Sequence, residues 1–357
     1  MTDRTMDDRS FAVAQALILE TKKYWTTRLY PALKENYQHK ASLQETPPQT
    51  VADVQALIGE TTDYQVYAWL ERHLQRFKYS GRYGLAPYHR ERRDELLAPL
   101  AEMANSAGLD TDDNFEQPKY YRAVDIHQHP GGVWSAETAG FEYERGARST
   151  TPMMGGKHRD LHQRFTDLVA TGGTPSRVLD MGCGFGKSTQ PFYETFGEAR
   201  IDAIDLSQPC VTLGAWTAAQ AQAQNTRFRQ MSAFETDYKD EEFDLVTSTM
   251  LIHELPPPQI DRMFDESLRL LQSGGRMVHL DFHELPDVFS RFIHYGHGRR
   301  NNEPFMEPWA EMDVVTVLKE KGFKDVKVHS FSEAEGVDAI NSPVWRFPWT
   351  VISAVKP

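Results

Sequence analysis

The chain has 357 residues, 40% hydrophobic and 25% charged, with a net charge of −12. That length can bury two sizeable cores, and the acidic balance opposes a large nucleic-acid footprint, which needs clustered positive charge. No stretch approaches the roughly 18–20 apolar residues of a membrane span. The start, "MTDRTMDDRSFAV", lacks the pattern of a secretory signal, and two cysteines, Cys183 and Cys210, cannot build a disulfide framework. The expectation is a cytoplasmic protein with a small partner, neither nucleic acid nor membrane.

Residues 1–115 read as helices, with no strand run. Val54, Leu57 and Ile58, then Tyr67, Leu70, Leu74 and Phe77, recur at helical spacing, and "ETPPQTVAD" before them reads as a loop entering a helix. "YHRERRDELLAPLAEMANSAG" predicts a further amphipathic helix ending near Gly108. This part is expected to be a helical domain with a role in forming a homodimer. Residues 116–160 carry aromatics, His, Arg and Gly without a sustained period, the mark of a functional cap or linker.

Strand–helix alternation follows over 161–357. The apolar runs are "RVLDM", "RIDAIDL", "FDLVTSTML", "RMVHLDF", "VKVHSF" and "TVISAV", which predict an α/β fold with a mostly parallel, helix-covered sheet. The first run leads into "VLDMGCGFGKSTQ" (178–190), a glycine loop placed to meet a nucleotide-type ligand. A triphosphate loop would need its first glycine at 181, where Met181 stands. A dinucleotide loop reads G-x-G-x-x-G, whereas Gly182, Gly184 and Gly186 read G-x-G-x-G, and Asp180 would face a pyrophosphate unfavourably. Asp180 suits a ligand with an ammonium group. Asp205, 23 residues after Gly182, ends the next strand, where an acid can hold ribose hydroxyls.

With these motifs the chain resembles the class I S-adenosylmethionine-dependent methyltransferases, over about residues 160–357. "VLDMGCGFG" looks like their first motif, "AIDLS" like the ribose motif and "MSAFE" like the adenine turn, with Ser232 where many relatives have an acid. "FDLVTSTMLIHEL" and "LLQSGGRMVHLDF" resemble the fourth and fifth strands. "LKEKGFKDVKVHSF" and "WTVISAV" resemble the closing helix, strand 6 and an antiparallel strand 7. The resemblance implies a Rossmann-like, seven-stranded sheet and S-adenosyl-L-methionine as cofactor. It implies a cofactor site of Asp180, Gly182, Gly184, Gly186, Asp205, Leu206, Ala233, Phe234 and Thr249.

For the acceptor, His253 at the end of the fourth strand is the provisional base, with Glu254 beside it. The walls are expected from 116–160 and from an insertion at 282–309. Tyr143, Arg145, Arg148, Tyr295, Arg299 and Arg300 there are candidates for a substrate carboxylate. His127, His129, His294 and His297 do not form a full ligand set, so no metal is expected. The expected function is methyl transfer to a small, carboxylate-bearing metabolite. The layout is also similar to bacterial S-methyltransferases that act on 4-methylthio-2-hydroxybutyrate on the way to dimethylsulfoniopropionate, a reaction that needs no base. A protein or peptide methyltransferase and a non-catalytic S-adenosylmethionine-binding subunit stay open.

Overall fold

A computed structural model describes residues 4–148, 158–337 and 341–357. Its centre is one sheet in the order β1-β4-β3-β2-β5-β6-β8-β7. The strands are β1 (Leu109–Asp110), β2 (Arg177–Met181), β3 (Arg200–Asp205), β4 (Thr226–Gln230), β5 (Phe243–Thr249), β6 (Leu271–Phe282), β7 (Lys324–Ser330) and β8 (Trp349–Val355). β1 to β6 pair in parallel and β8 runs antiparallel between β6 and β7.

The sheet thus has eight strands rather than the seven expected. The extra one is β1, a two-residue edge inside the stretch read as strand-free, joined to β4 through Leu109–Phe228 and Asp110–Arg229. Its partner β4 was also absent from the apolar runs. Only Thr226 and Phe228 point inward there, while Arg227 and Arg229 face Asp110 and Asp237. A half-polar strand gives no continuous apolar run.

Four helical stretches open the chain: α1 (Arg4–Tyr24), α2 (Tyr30–Ser42), α3 (Val51–Ile58) and α4 (Thr62–Tyr79), with a π turn at Trp25–Leu29 between the first two. Thr50 and Asp53 cap α3 reciprocally, as the Thr-Val-Ala-Asp start predicted. Val54, Ile58, Tyr67 and Leu74 are buried, but Phe77 faces outward. The helix expected to end near Gly108 is broken into Leu85–Glu91, Arg93–Leu97 and a 3-10 segment Ala98–Asn105 that Pro99 opens.

Trp25, Leu33 and Tyr67 from these helices share one apolar cluster with Val178, Leu245 and Leu280 of the sheet. Burying such side chains stabilises the fold by roughly 1.5–3 kcal/mol each, so the helices are fastened to the carboxyl-terminal half by the same core that holds the sheet. The strand order reverses between β2 and β5, and the carboxyl ends of the parallel strands meet there under these helices.

Candidate active site

Gly182, Gly184 and Gly186 follow β2 with φ of 68°, 52° and 85°, a region side-chain-bearing residues avoid. A Cβ on Gly182 would come within 2.6 Å of Leu251, and one on Gly186 within 2.8 Å of Phe228. The loop is held open from beneath. Asp205 accepts the Gly184 N–H at 2.9 Å and the Ser207 N–H at 2.8 Å. Asp180 accepts the hydroxyls of Ser188 (3.0 Å) and Thr189 (2.7 Å) through one oxygen, while its other oxygen is buried without a partner among the described residues. Burial raises the pKa of both carboxyls to about 6, against the hydrogen bonds they accept. Thr249 Oγ1 is likewise buried, with no partner among the described residues.

Orphaned acceptors at this loop fit a ligand that brings donors, as the ammonium and ribose of S-adenosylmethionine would. Leu206, Ala233 and Phe234 line a hollow beside Asp205, with Tyr120 and Tyr121 on its other wall. Ser232 takes the Phe234 N–H at 3.4 Å and so belongs to the turn itself. Gly182, Asp205, Leu251 and Glu254 line both this hollow and a larger cavity under the N-terminal helices. Of the residues expected to hold the cofactor, Gly182, Gly184, Asp205 and Thr249 border that larger cavity.

The larger cavity brings together residues from the whole chain. Trp25, Phe282, Trp345, Phe347 and Trp349 form an aromatic wall, with Phe282 stacked on Phe347 at 4.3 Å and Trp25 lying 5.2 Å from Trp345. His253 sits 4.7 Å from the Phe282 ring and is 3% exposed. Its Nδ1 meets Asp281 Oδ1 at 2.7 Å, and Asp281 also accepts the Ile252 and Phe282 N–H groups. Burial alone would lower the imidazole pKa, but the Asp281 carboxylate more than offsets it and holds the value at about 8. Asp281 orients the ring, and Nε2 has no hydrogen-bond partner among the described residues.

Opposite lies His127, which adopts φ 57°. Its Nε2 meets Glu254 at 3.0 Å and its Nδ1 meets Glu303 at 3.0 Å. Burial opposes the charge, yet the two carboxylates raise His127 to about 10, and the same contact draws Glu303 down to about 2. Met250 also has a left-handed φ, 57°, so two strained residues border the cavity. Glu71 of α4 is bound by His297 at 2.5 Å and by Arg300. Lys22 of α1 donates to Gln75 at 3.2 Å, and Lys78 of α4 completes the lining.

The candidate substrate residues divide. Tyr143 borders the cavity. Arg148 instead pairs with Glu144 on the surface, and Arg299 with Glu307, also exposed. Tyr295 is buried against Glu311, and Arg300 holds Glu71 from behind, so neither reaches the cavity wall. His129 pairs with Glu142 at 2.6 Å, and His294 is buried among Phe282 and Tyr295. The residues the sequence did not single out are Lys22, Glu71, Lys78, Glu303, Trp345 and Phe347. They lie on separate elements, and nothing local in the sequence marks them.

Residues 178–275 match a family model described as a methyltransferase domain. The ubiquinone/menaquinone biosynthesis C-methyltransferase UbiE of Vibrio vulnificus is 30% identical over 133 residues, 36% of this chain and 50% of that protein. The namesake of Ruegeria sp. is 30% identical over 171 residues, 47% of this chain and 65% of that protein. The chain therefore spans about half to two thirds of the length of these curated relatives. Among solved structures, phosphoethanolamine N-methyltransferase 2 of Haemonchus contortus, in complex with S-adenosyl-L-methionine, shares 17% identity over 62% of this chain and 57% of that one, with a TM-score of 0.43. The glycine loop and the acid-ended strands lie in or beside the matched stretch, so residues 178–275 form a methyltransferase domain of the class I, S-adenosylmethionine-dependent type.

Proposed function

We propose that the chain transfers the methyl group of S-adenosylmethionine to a small, carboxylate-bearing metabolite held in the cavity under the N-terminal helices. The observation that carries this reading is the continuity of the site. The cofactor loop and Asp205 open directly into a space walled by aromatics and furnished with Lys22, Lys78 and His253.

The cofactor supplies an electrophilic methyl group at a sulfonium. Asp180, the glycine loop, Asp205 and the turn at Ala233–Phe234 hold its polar groups and base. The aromatic wall excludes water and places the acceptor, which provides proximity. For an acceptor that carries a proton, His253 Nε2 receives it while Asp281 stabilises the imidazolium. The His253–Asp281 pair also weighs against a silent cofactor-binding subunit. The aromatic wall favours a second reading, S-methylation of a thioether acid such as 4-methylthio-2-hydroxybutyrate, because aromatic faces stabilise a developing sulfonium.

Calorimetric titration with S-adenosylhomocysteine, with NAD and ATP as controls, tests the cofactor half. Product release over thioether, hydroxyl and amine acids tests the acceptor half. Micromolar binding of S-adenosylhomocysteine alone and turnover of an acid support the reading; turnover of polypeptides in place of acids overturns it.

The remaining expectations rest on simpler observations. Cys183 and Cys210 are free and buried, in keeping with a cytoplasmic location, and no helix among the described residues is long and apolar enough to cross a membrane. The net charge of −12 supports a site without nucleic acid. A homodimer is supported by an exposed apolar face on α1 and α4, made by Val13, Leu17, Tyr24, Val66, Trp69 and Phe77.

A further inference from the structure

Lys78 stands out among the cavity's charged groups. The carboxylates around it are already bound to other cations: Glu71 to His297 and Arg300, and Glu254 and Glu303 to the two ring nitrogens of His127. Lys78 has no carboxylate within ion-pair distance among the described residues. Its Nζ lies 3.5 Å from the Gly146 carbonyl and 4.8 Å over the Tyr79 ring, contacts too weak to replace a hydration shell. The residue is 1% exposed and borders the cavity. A lysine so placed needs an anion or must give up its proton.

We propose that Lys78 reads the acceptor's anionic group: buried at the cavity wall with no carboxylate in reach among the described residues, it becomes the ammonium partner of an entering carboxylate. The inference rests on the methyl-transfer reading and assigns the recognition residue of that same site. It also replaces the surface arginines Arg148 and Arg299 in that role.

Every element packed against Lys78 bears on its charge. Burial and then Lys22 of α1 depress its pKa well below that of a free lysine, and Glu303 opposes them. Glu71 on α4, His127 in the cap, His297 and Arg300 on the helix Val288–Asn301, and the Gly146 carbonyl complete the surroundings. An incoming carboxylate supplies the missing partner and offsets the repulsion from Lys22. Burying an acid beside an ammonium in this way yields a charge-assisted hydrogen bond, whereas the corresponding amide offers only a neutral acceptor.

The test uses the full chain saturated with S-adenosylhomocysteine. It is titrated at pH 8 with 4-methylthio-2-hydroxybutanoate, hexanoate and 4-phenylbutanoate, and with the primary amide of each. At least one acid is expected to bind tenfold or more tightly than its amide. In Lys78→Met that preference falls below twofold, and in Lys78→Arg, which keeps a cation, it stays above fivefold, while S-adenosylhomocysteine affinity is unchanged in both. Wild-type protein that binds acid and amide equally overturns the proposal whether or not either variant folds. An acid preference that survives in Lys78→Met, or no acid binding to a cofactor-loaded protein, overturns it as well. Failure of S-adenosylhomocysteine itself to bind overturns the methyl-transfer reading first, and this inference with it.

Discussion

The two halves of the site are built differently. The cofactor half is made of consecutive short segments: a glycine loop after β2, an acid at the end of β3, a turn after β4 and the end of β5. Each segment's position follows from one strand–helix step. The acceptor half collects Lys22, Lys78, His127, His253, Glu303 and Trp345, which span more than three hundred residues (22 to 345). No two of its charged pairs come from neighbouring positions; Glu71 meets His297 and His127 meets Glu303 only because α4 and the cap fold over the strand ends. The first half can be assembled one strand–helix step at a time, whereas the second exists only in the folded chain.

Substitutions can break this division. The largest effect is expected from Asp205→Ala, which should weaken S-adenosylhomocysteine at least about a hundredfold by removing the ribose acceptor and leaving the Gly184 and Ser207 N–H groups unpaired. Normal affinity in that variant, measured by calorimetry, would sink the ribose assignment. His253→Ala should leave cofactor affinity alone and cut turnover by about 10²–10⁴-fold for an acceptor that must lose a proton. The wild-type rate for such an acceptor should then rise with pH through about 8, since the base works as neutral imidazole. A rate that is flat in pH and unaffected by His253→Ala points to a thioether.

A third prediction separates packing from chemistry. His127 is raised from 6.5 to about 10 and Glu303 lowered from 4.5 to about 2. The histidine's stabilising contribution is complete below pH 6.5 and lost as pH rises through about 10. The glutamate's is complete above 4.5 and lost as pH falls through about 2. Both are therefore in place between 4.5 and 6.5. His127→Gln should lower Tm by about 5–10 °C in that window, because a buried carboxylate loses its partner. The gap to wild type should narrow by pH 9–10; a gap constant with pH would refute the ion-pair account. The smallest effects belong to Arg148→Ala and Arg299→Ala. Both arginines sit in exposed pairs worth about 0–1 kcal/mol, so KM for any acid acceptor should stay within about twofold. A tenfold rise would return them to the site.

The contrast between the halves also explains what could be read from the chain alone. The turn at Gly182 and Gly184 and the strand-end placement of Asp180 and Asp205 were legible because each has a local reason, positive φ in the loop and a carboxylate at the end of an apolar run. Strands β2, β3, β5, β6 and β8 were legible because both of their faces are buried, which forces continuous apolar runs. β4 and β1 were not, since one is half-polar and the other owes its existence to a single neighbour. The arginines of the cap misled because concentration in a segment says nothing of direction. Arg148 paired with Glu144 one helical turn before it, Arg299 with Glu307 on the following short helix, and both stayed in water.

By itself, then, the sequence determined the doubly buried strands, the glycine loop and the class of cofactor, because period, turn chemistry and strand-end acids are properties of segments only a few residues long. Tertiary structure alone decided which lysine of α4 is buried without a carboxylate partner among the described residues, which histidine is clamped between two glutamates, and which aromatics wall the cavity. Those are properties of burial and distance between remote positions. A lysine at 78 looks, in the chain, like any other cation at the end of an amphipathic helix; the desolvation that makes it significant comes from the elements packed around it.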